Sequence, residues 1–417
     1  MKNLCLFAAI LWFIGLVSCQ NNSASKREAA KMEVSMDDSD IKTIEIDSTN
    51  VITFDIKKTK EIKDVWELID NIEYIPLETN DNVLMGNIEK LMLYNGKYYL
   101  LDGSIAYSVF IFNEDGSHYK TINNVGRGPQ EYVKLNNMTI DKYNDELILT
   151  DRSDYSLHFY DTDGNFKKKE NCGVRFADII RITKDDFLVY LGTYWNIHIP
   201  DIDNYYIIVG SPFGEIKQRG LFKDDFYRKL SISGKNHIHI CEDNVLLSTP
   251  FTNKIYHAFP NGKLSLRYQF IFENGSPKLY RSIDNNDFDK FFSELAKRKV
   301  EYLLEHKILE TDNYLLAVLD TGGESIRHFI YDKKTKESFI TTKEYIPSMA
   351  ISFMLPEFTD GHYFYSWTTP SYIQHIKNRH AEGKIQFPDD WKMPEILDKA
   401  DESDNPILIK YKLKTSS

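Results

Sequence analysis

Tyr98-Tyr99-Leu100-Leu101-Asp102, Val109-Phe110-Ile111-Phe112 and the turn Asn113-Glu114-Asp115-Gly116 form a unit that the chain repeats. The next copy is Leu147-Ile148-Leu149-Thr150-Asp151, Leu157-His158-Phe159-Tyr160 and Asp161-Thr162-Asp163-Gly164. Phe187-Leu188-Val189-Tyr190 with Pro212-Phe213-Gly214, and Val245-Leu246-Leu247-Ser248 with Pro260-Asn261-Gly262, continue the series. The turn glycines stand at 116, 164, 214 and 262, steps of 48, 50 and 48 residues. A period of this size with several short strands per repeat is the signature of propeller blades. Each unit reads as a four-stranded meander whose two faces are both apolar. Such a sheet needs a neighbour on each side, and closing a ring supplies the last one.

Working outward, Tyr314 to Asp320 with Arg327 to Asp332 gives a fifth unit, delayed by 284–305. There Phe288, Phe291, Phe292, Leu295, Val300, Leu303 and Leu304 recur at helical spacing, with Asp284 or Asn286 as N-cap, so a helical insertion is expected. A sixth unit combines Ala350 to Leu355, His362 to Trp367, helical segments over about 370–402 and a last strand, Pro406 to Leu413. That strand is expected to share a sheet with Tyr74-Ile75-Pro76-Leu77, latching the chain ends together. The fold class is therefore all-β, a six-bladed β-propeller with helical insertions over 56–417; counts of five or seven remain open.

Before the ring come Lys2, an apolar run from Leu4 to Leu16, and Leu16-Val17-Ser18-Cys19. This reads as a lipoprotein signal peptide over 1–18, too short to remain as a membrane helix, with Cys19 as the lipidated mature N-terminus. Gln20 and Asn21, in place of an aspartate after that cysteine, favour the outer membrane, so a lipid-anchored envelope location is expected. Residues 19–55, polar and poor in large apolar residues, read as a flexible tether. A net charge of −11 leaves no basic stripe to replace phosphate counterions, which argues against nucleic acid as a partner. Beyond Cys5 and Cys19 only Cys172 and Cys241 remain, too few for a disulfide framework.

Tyr74 to Thr79, Tyr98 to Asp102, Val109 to Gly116 and above all Gly126-Arg127-Gly128-Pro129-Gln130-Glu131-Tyr132 resemble the six-bladed β-propeller lipoproteins of Gram-negative gut bacteria, distant relatives of NHL-repeat propellers. The resemblance covers about 60–413 and implies fold and export rather than an activity, since propellers host binding modules, lyases and lactonases alike. In the glycine-rich motif the glycines permit close backbone approach between blades and Pro129 stiffens the linker. Arg127 has two readings there, an inter-blade contact or a ligand contact.

In a propeller, residues near the starts of the innermost strands converge on the channel. Glu89, Asn137 and Asp178 resemble the oxygen set with which lactonase-type propellers hold calcium; the plain alternative is that they bond channel water or cap strands. His237-Ile238-His239 puts two imidazoles on one strand face, a spacing open to a transition metal or to an ordinary half-buried strand. Asp102, Asp151 and Asp320 recur in phase, which points to turn capping, because a catalytic group is needed once and a structural one in every blade. Trp195 and Trp367, read as lying in irregular segments, are candidate rim aromatics for stacking on sugars or peptides. No nucleophile elbow, phosphate-cradling loop or zinc-protease helix is present. The expected function is a binding or scaffolding module for a glycan, peptide or protein. The alternative is a calcium-dependent hydrolase or lyase at the channel.

Overall fold

Strands in which every residue is apolar arise when both faces of a sheet are buried. In the computed structural model, which describes Met32 and residues 34–62, 65–224, 226–227, 236–241, 244–280, 287–322, 326–341, 356–384 and 392–414, apolar-rich strands of this kind are arranged in six sheets. Blade 1 is Lys90–Tyr94, Lys97–Asp102, Ser108–Asn113 and His118–Ile122, in order from the axis outward. Blade 2 follows with Leu135–Asp141, Glu146–Asp151, Ser156–Asp161 and Phe166–Asn171. Blade 3 has Asp178–Arg181, Phe187–Tyr190, Tyr205–Gly210 and Ile216–Phe222; blade 4 has Ile238–Cys241, Asn244–Leu247, Lys254–Ala258 and Leu264–Ile271. Blade 5 is Tyr302–Glu310, Tyr314–Asp320, Ile326–Asp332 and Ser338–Thr341.

Blade 6 joins Phe358–Thr359, Phe364–Thr368 and Ile407–Leu413 to Ile69–Pro76, which comes from the other end of the chain. The closing pair is antiparallel, with Ile409 opposite Tyr74 and Leu408 opposite Ile75. The expected latch is thus present, and the ring has six blades. Ala350 to Leu355, expected in the sixth unit, lies outside the described residues, as do the signal peptide and Cys19.

The pleat divides each blade's apolar residues between its two neighbours. Tyr98, Leu100, Phe110 and Phe112 pack towards blade 6 with Ile75, Tyr365 and Leu408, whereas Tyr99, Leu101, Val109 and Ile111 pack towards blade 2 with Met138, Leu147 and Leu149. Four further clusters fill the remaining blade boundaries in the same way. Three of the four turn glycines, Gly116, Gly164 and Gly262, serve these boundaries, while Gly214 meets nothing within 4 Å. Gly116 has φ 85°, and a Cβ there would stand 2.1 Å from the Pro76 carbonyl oxygen of blade 6.

The helix Phe288–Arg298 is capped by Asp287, whose side chain accepts from the Lys290 N–H, rather than by either residue the sequence suggested. It buries Phe291 and Leu295 against Phe226, Tyr227 and Phe251, an aromatic cluster outside the six blade boundaries. Two more helices, Pro370–Ala381 and Glu395–Asp398, bury Ile373, Ile376 and Leu397 on the boundary of blades 5 and 6.

The tether reading of 19–55 fails where the structure describes that stretch. Lys42–Thr43 pairs in parallel with the outer strand of blade 3, Ile46–Asp47 and Ile52–Asp55 with that of blade 4, and Lys60–Ile62 with that of blade 5. The polar segment is a belt around half the ring, covering three sheet edges that would otherwise expose unpaired backbone groups. Its anchors are sparse: Ile44, Phe54, Ile56 and Ile62, each flanked in sequence by polar residues, are buried in the apolar blade boundaries.

One ion cluster clamps the belt's end. Buried Arg327 donates to Glu301 (2.8 Å), to the Thr341 carbonyl (2.7 Å) and to Glu61 of the belt (3.0 Å). Glu301 is buried and Glu61 is mostly exposed, so the two partners should differ in worth. Arg327→Ala strands the Glu301 carboxylate and is expected to cost about 3–5 kcal/mol, whereas Glu61→Ala should cost under about 1 kcal/mol. Urea midpoints of the two variants check this ordering.

Candidate functional site

The innermost strands of successive blades approach one another around the axis, so their first residues meet at one end of the channel. Three of them form a continuous chain. Lys90 of blade 1 donates to Asn137 Oδ1 of blade 2 (2.8 Å), and Asn137 Nδ2 donates to Asp178 Oδ1 of blade 3 (2.7 Å). Asp178 Oδ2 in turn accepts from the backbone N–H of Ile238, in blade 4 (3.1 Å). Polar side chains are needed here because the ring narrows to where only strand edges meet. Each buried donor must then find its acceptor on the next blade.

Asn137 and Asp178, both proposed from the sequence, are thus brought together, but their chemistry differs from the calcium reading. Asp178 accepts from Asn137, from the N–H groups of Ile179 and Ile238, and lies 3.7 Å from the Lys90 ammonium. Asn137 Oδ1 accepts from Lys90 and from the Met138 N–H. The oxygens that would bind a cation are occupied by N–H donors, and the cationic place is taken by Lys90. Burial pushes the Lys90 amine below its ordinary range, and the Asp178 charge opposes that shift. Glu89, one residue before Lys90, sits elsewhere: its Oε2 lies 3.1 Å from where a Cβ on Gly103 would stand. Blades 2 and 3 are joined again at the far end of their inner strands, where Arg181 Nε donates to buried Asp141 (3.0 Å).

The other half of the channel carries imidazoles. His237 is buried and its ring stacks on Tyr190, centroids 4.6 Å apart at 13°. His239, two residues on, is also buried. The inner strand of blade 5 contains a bulge: Leu303 pairs with Leu319 and Ile308 with Ala317, so Leu304 to Lys307 stand opposite Val318 alone. Lys307 from this bulge forms an ion pair with Glu357, just before the inner strand of blade 6. His306 is pushed down to about 3 by burial first, then by the positive charges of Lys307, His237 and His239. Among the described residues, no three His, Cys, Asp or Glu side chains converge closely enough to hold a metal ion. Lys90, His306, Lys307 and Glu357 were missed by the sequence reading. The bulge has no local signature, and the ion pair spans fifty residues.

The remaining candidates lie outside these two clusters. Arg127 is exposed and makes no hydrogen bond or ion pair among the described residues, so the inter-blade contact expected of it is made by its neighbours. Tyr132, fully buried, donates to the carbonyls of Tyr107 (2.9 Å) or Ile122 (3.1 Å), and Glu131 accepts from the Gly128 N–H (2.7 Å). Trp367 lies in the strand Phe364–Thr368, partly buried on the boundary of blades 6 and 1, not in an irregular segment. Trp195 is in a loop but half-buried. Asp102 accepts from the N–H groups of Gly86, Asn87, Ile105 and Ala106, and Asp151 from those of Val133, Lys134 and Ser153. Each aspartate ties the loop entering its own blade's inner strand to a second loop. Cys172 and Cys241 are free and buried, and burial pushes the Cys241 thiol up to about 12, which makes it unreactive.

His158 and His328 are fully buried, and burial pushes each down to about 4. An unfolded histidine titrates near 6.5, so between about pH 6.5 and 4 the unfolded chain binds the extra protons. Stability therefore falls as the pH drops through that window, by about 3 kcal/mol for each of these two groups. A urea midpoint that declines from about pH 7 to pH 4, and declines less in His158→Gln, is the expected outcome.

Comparison with known proteins adds the fold family. The chain resembles a crystal structure of a Bacteroides fragilis protein described as exported, with a TM-score of 0.68 at 20% identity, over 88% of this chain and all of that one. A DUF4221 family member from Bacteroides vulgatus aligns over 84% of this chain and 98% of its own at 11% identity, TM-score 0.49. A virginiamycin B lyase from Staphylococcus aureus aligns over 67% of this chain and 75% of its own at 12% identity, TM-score 0.34. No curated protein matches the sequence. The family model of a domain of unknown function, DUF4934, matches residues 43–412, nearly the whole ring and its belt, and the chain belongs to that family.

Proposed function

We propose that this protein is an exported, lipid-anchored binding module of the cell envelope, which uses the mouth of its central channel to hold a glycan, peptide or protein ligand. The observation that carries the reading is the inter-blade chain Lys90–Asn137–Asp178–Ile238, in which each polar group is held by the next. Asn137, Asp178 and Ile238 are buried, so the network fixes the wall beneath the channel mouth and holds that mouth in one shape, and preorganisation is what lowers the cost of binding. Calcium-dependent hydrolysis or lysis, the competing reading, loses the oxygen ligands it requires, because Asn137 and Asp178 are already engaged.

Export and anchoring rest on the lipobox ending in Cys19, and the B. fragilis protein described as exported is in keeping with them. Cys19 precedes Asp37, the first residue to pair with blade 3, by 18 positions. Eighteen residues span at most about 60–65 Å even when fully extended. The ring would therefore stay within that reach of the membrane, by preference the outer one.

Two measurements test the reading. Cys19→Ser should abolish fatty-acid labelling and release the protein from the membrane fraction. Pull-downs from glycan and peptide mixtures, with the soluble form starting after Cys19, should capture the same ligand with and without chelator. Capture or turnover that requires calcium would overturn the binding-module reading in favour of the enzyme.

A further inference from the structure

The two halves of the channel are unlike. Between blades 1 and 4 the polar groups satisfy one another, cation against carboxylate. Between blades 4 and 5 the groups are His239, His306 and Lys307, with buried His328 behind them on the third strand of blade 5, while His237, stacked on Tyr190 of blade 3, lies within electrostatic reach of His306. Lys307 is paired there with the Glu357 carboxylate. His306 Nδ1 is buried and has no hydrogen-bond partner among the described residues, a cost that native proteins seldom leave uncompensated. The strand also gives up regular pairing over four residues to place it there, and bulges of this kind tend to re-aim side chains beside functional sites.

We propose that the blade 5 bulge and the two blade 4 imidazoles form a channel subsite for an oxyanion, either the carboxylate of an acidic sugar or a phosphate group. The inference rests on the binding-module reading and names the chemistry of the ligand. A single metal ion does not fit, since no three such side chains share a coordination sphere among the described residues. Yet His237 and His239 are near enough to act electrostatically on His306. Groups spaced too widely for one metal but within electrostatic reach suit a polyatomic anion, which presents several acceptor oxygens. Protonated imidazole donates from both nitrogens, and Lys307 donates from its ammonium. Burial and the positive charges around it keep His306 neutral before a ligand arrives, so an incoming oxyanion reverses the local balance and draws a proton onto it.

The experiment is calorimetric titration of the soluble chain at about pH 7, near neutrality where a free imidazole is mostly uncharged, with inorganic phosphate, galacturonate and, as the neutral control, galactose. Runs in two buffers of different ionisation heat reveal proton exchange. The expected result is binding of phosphate or galacturonate with proton uptake, movement of the His306 ring resonances in labelled native protein, and no binding of galactose. The anion that binds identifies the source. His306→Gln should weaken that binding by at least about tenfold with its melting temperature unchanged. The native His306 resonances keep the test valid if the variant folds poorly. Anion binding that leaves those resonances still, or no binding of either anion, overturns the subsite. If the pull-downs nevertheless capture a ligand, the binding module stands and this subsite alone has failed. If they capture nothing, both have failed.

Discussion

Everything in this ring depends on sheets whose two faces are both apolar and whose pleat shares them between two neighbours. Leu100 belongs to the boundary with blade 6 and Leu101 to the boundary with blade 2, although they are adjacent in one strand. No blade can satisfy both faces without two partners, and an open row would leave two apolar faces in water, one at each end. Closure through Ile69–Pro76 and Ile407–Leu413 is thus a thermodynamic requirement and not an ornament of topology. Burial of about 25 cal/mol per Å² of apolar surface, repeated over six boundaries, is the term that offsets the entropy of joining distant chain ends.

The ring was legible because its signal is local and repeated. Strands such as Tyr98 to Asp102 and Leu147 to Asp151 carry continuous apolar runs, and their turns close on glycine at a constant step. The belt was not legible because its pairing uses backbone groups, which any sequence supplies. Its side chains face solvent except for a few anchors such as Ile44 and Phe54, so composition alone makes it look unstructured. A single buried apolar residue in a polar run is a faint signal, and only the register of a distant edge strand gives it meaning.

Site residues divide along the same line. Asn137 and Asp178 could be placed by counting within the repeat, and they do meet. What they do was set by Lys90, whose relevance appears only when the first strand of blade 1 lies beside that of blade 2. The in-phase aspartates show the opposite case. Asp102 and Asp151 recur because in each of their two blades a buried carboxylate satisfies the N–H groups of the loops around the second strand. In the glycine-rich linker, the eye is drawn to Arg127, but its exposed guanidinium holds no other blade among the described residues. The phenol of Tyr132, inserted between blades, fixes the linker.

Repetition and function pull against each other in a ring of similar blades. A feature shared by all six blades serves closure, so specificity must come from departures from the repeat. Three departures coincide: the bulge opposite Val318, the paired imidazoles of blade 4, and the helix Phe288–Arg298 inserted just before the bulged strand. The helix is packed on Phe226, Tyr227 and Phe251, which come from the chain on either side of the blade 4 inner strand. The insertion therefore braces blades 4 and 5, where the inner strand is least regular. A bulge weakens its own ladder, and it persists only where surrounding packing over-determines it. The aromatic cluster reaches Val300 and Tyr302, where the bulged strand begins, and adds to that packing. Blade 5 can then carry a strand shaped for its channel side chains at little risk to the closure of the ring.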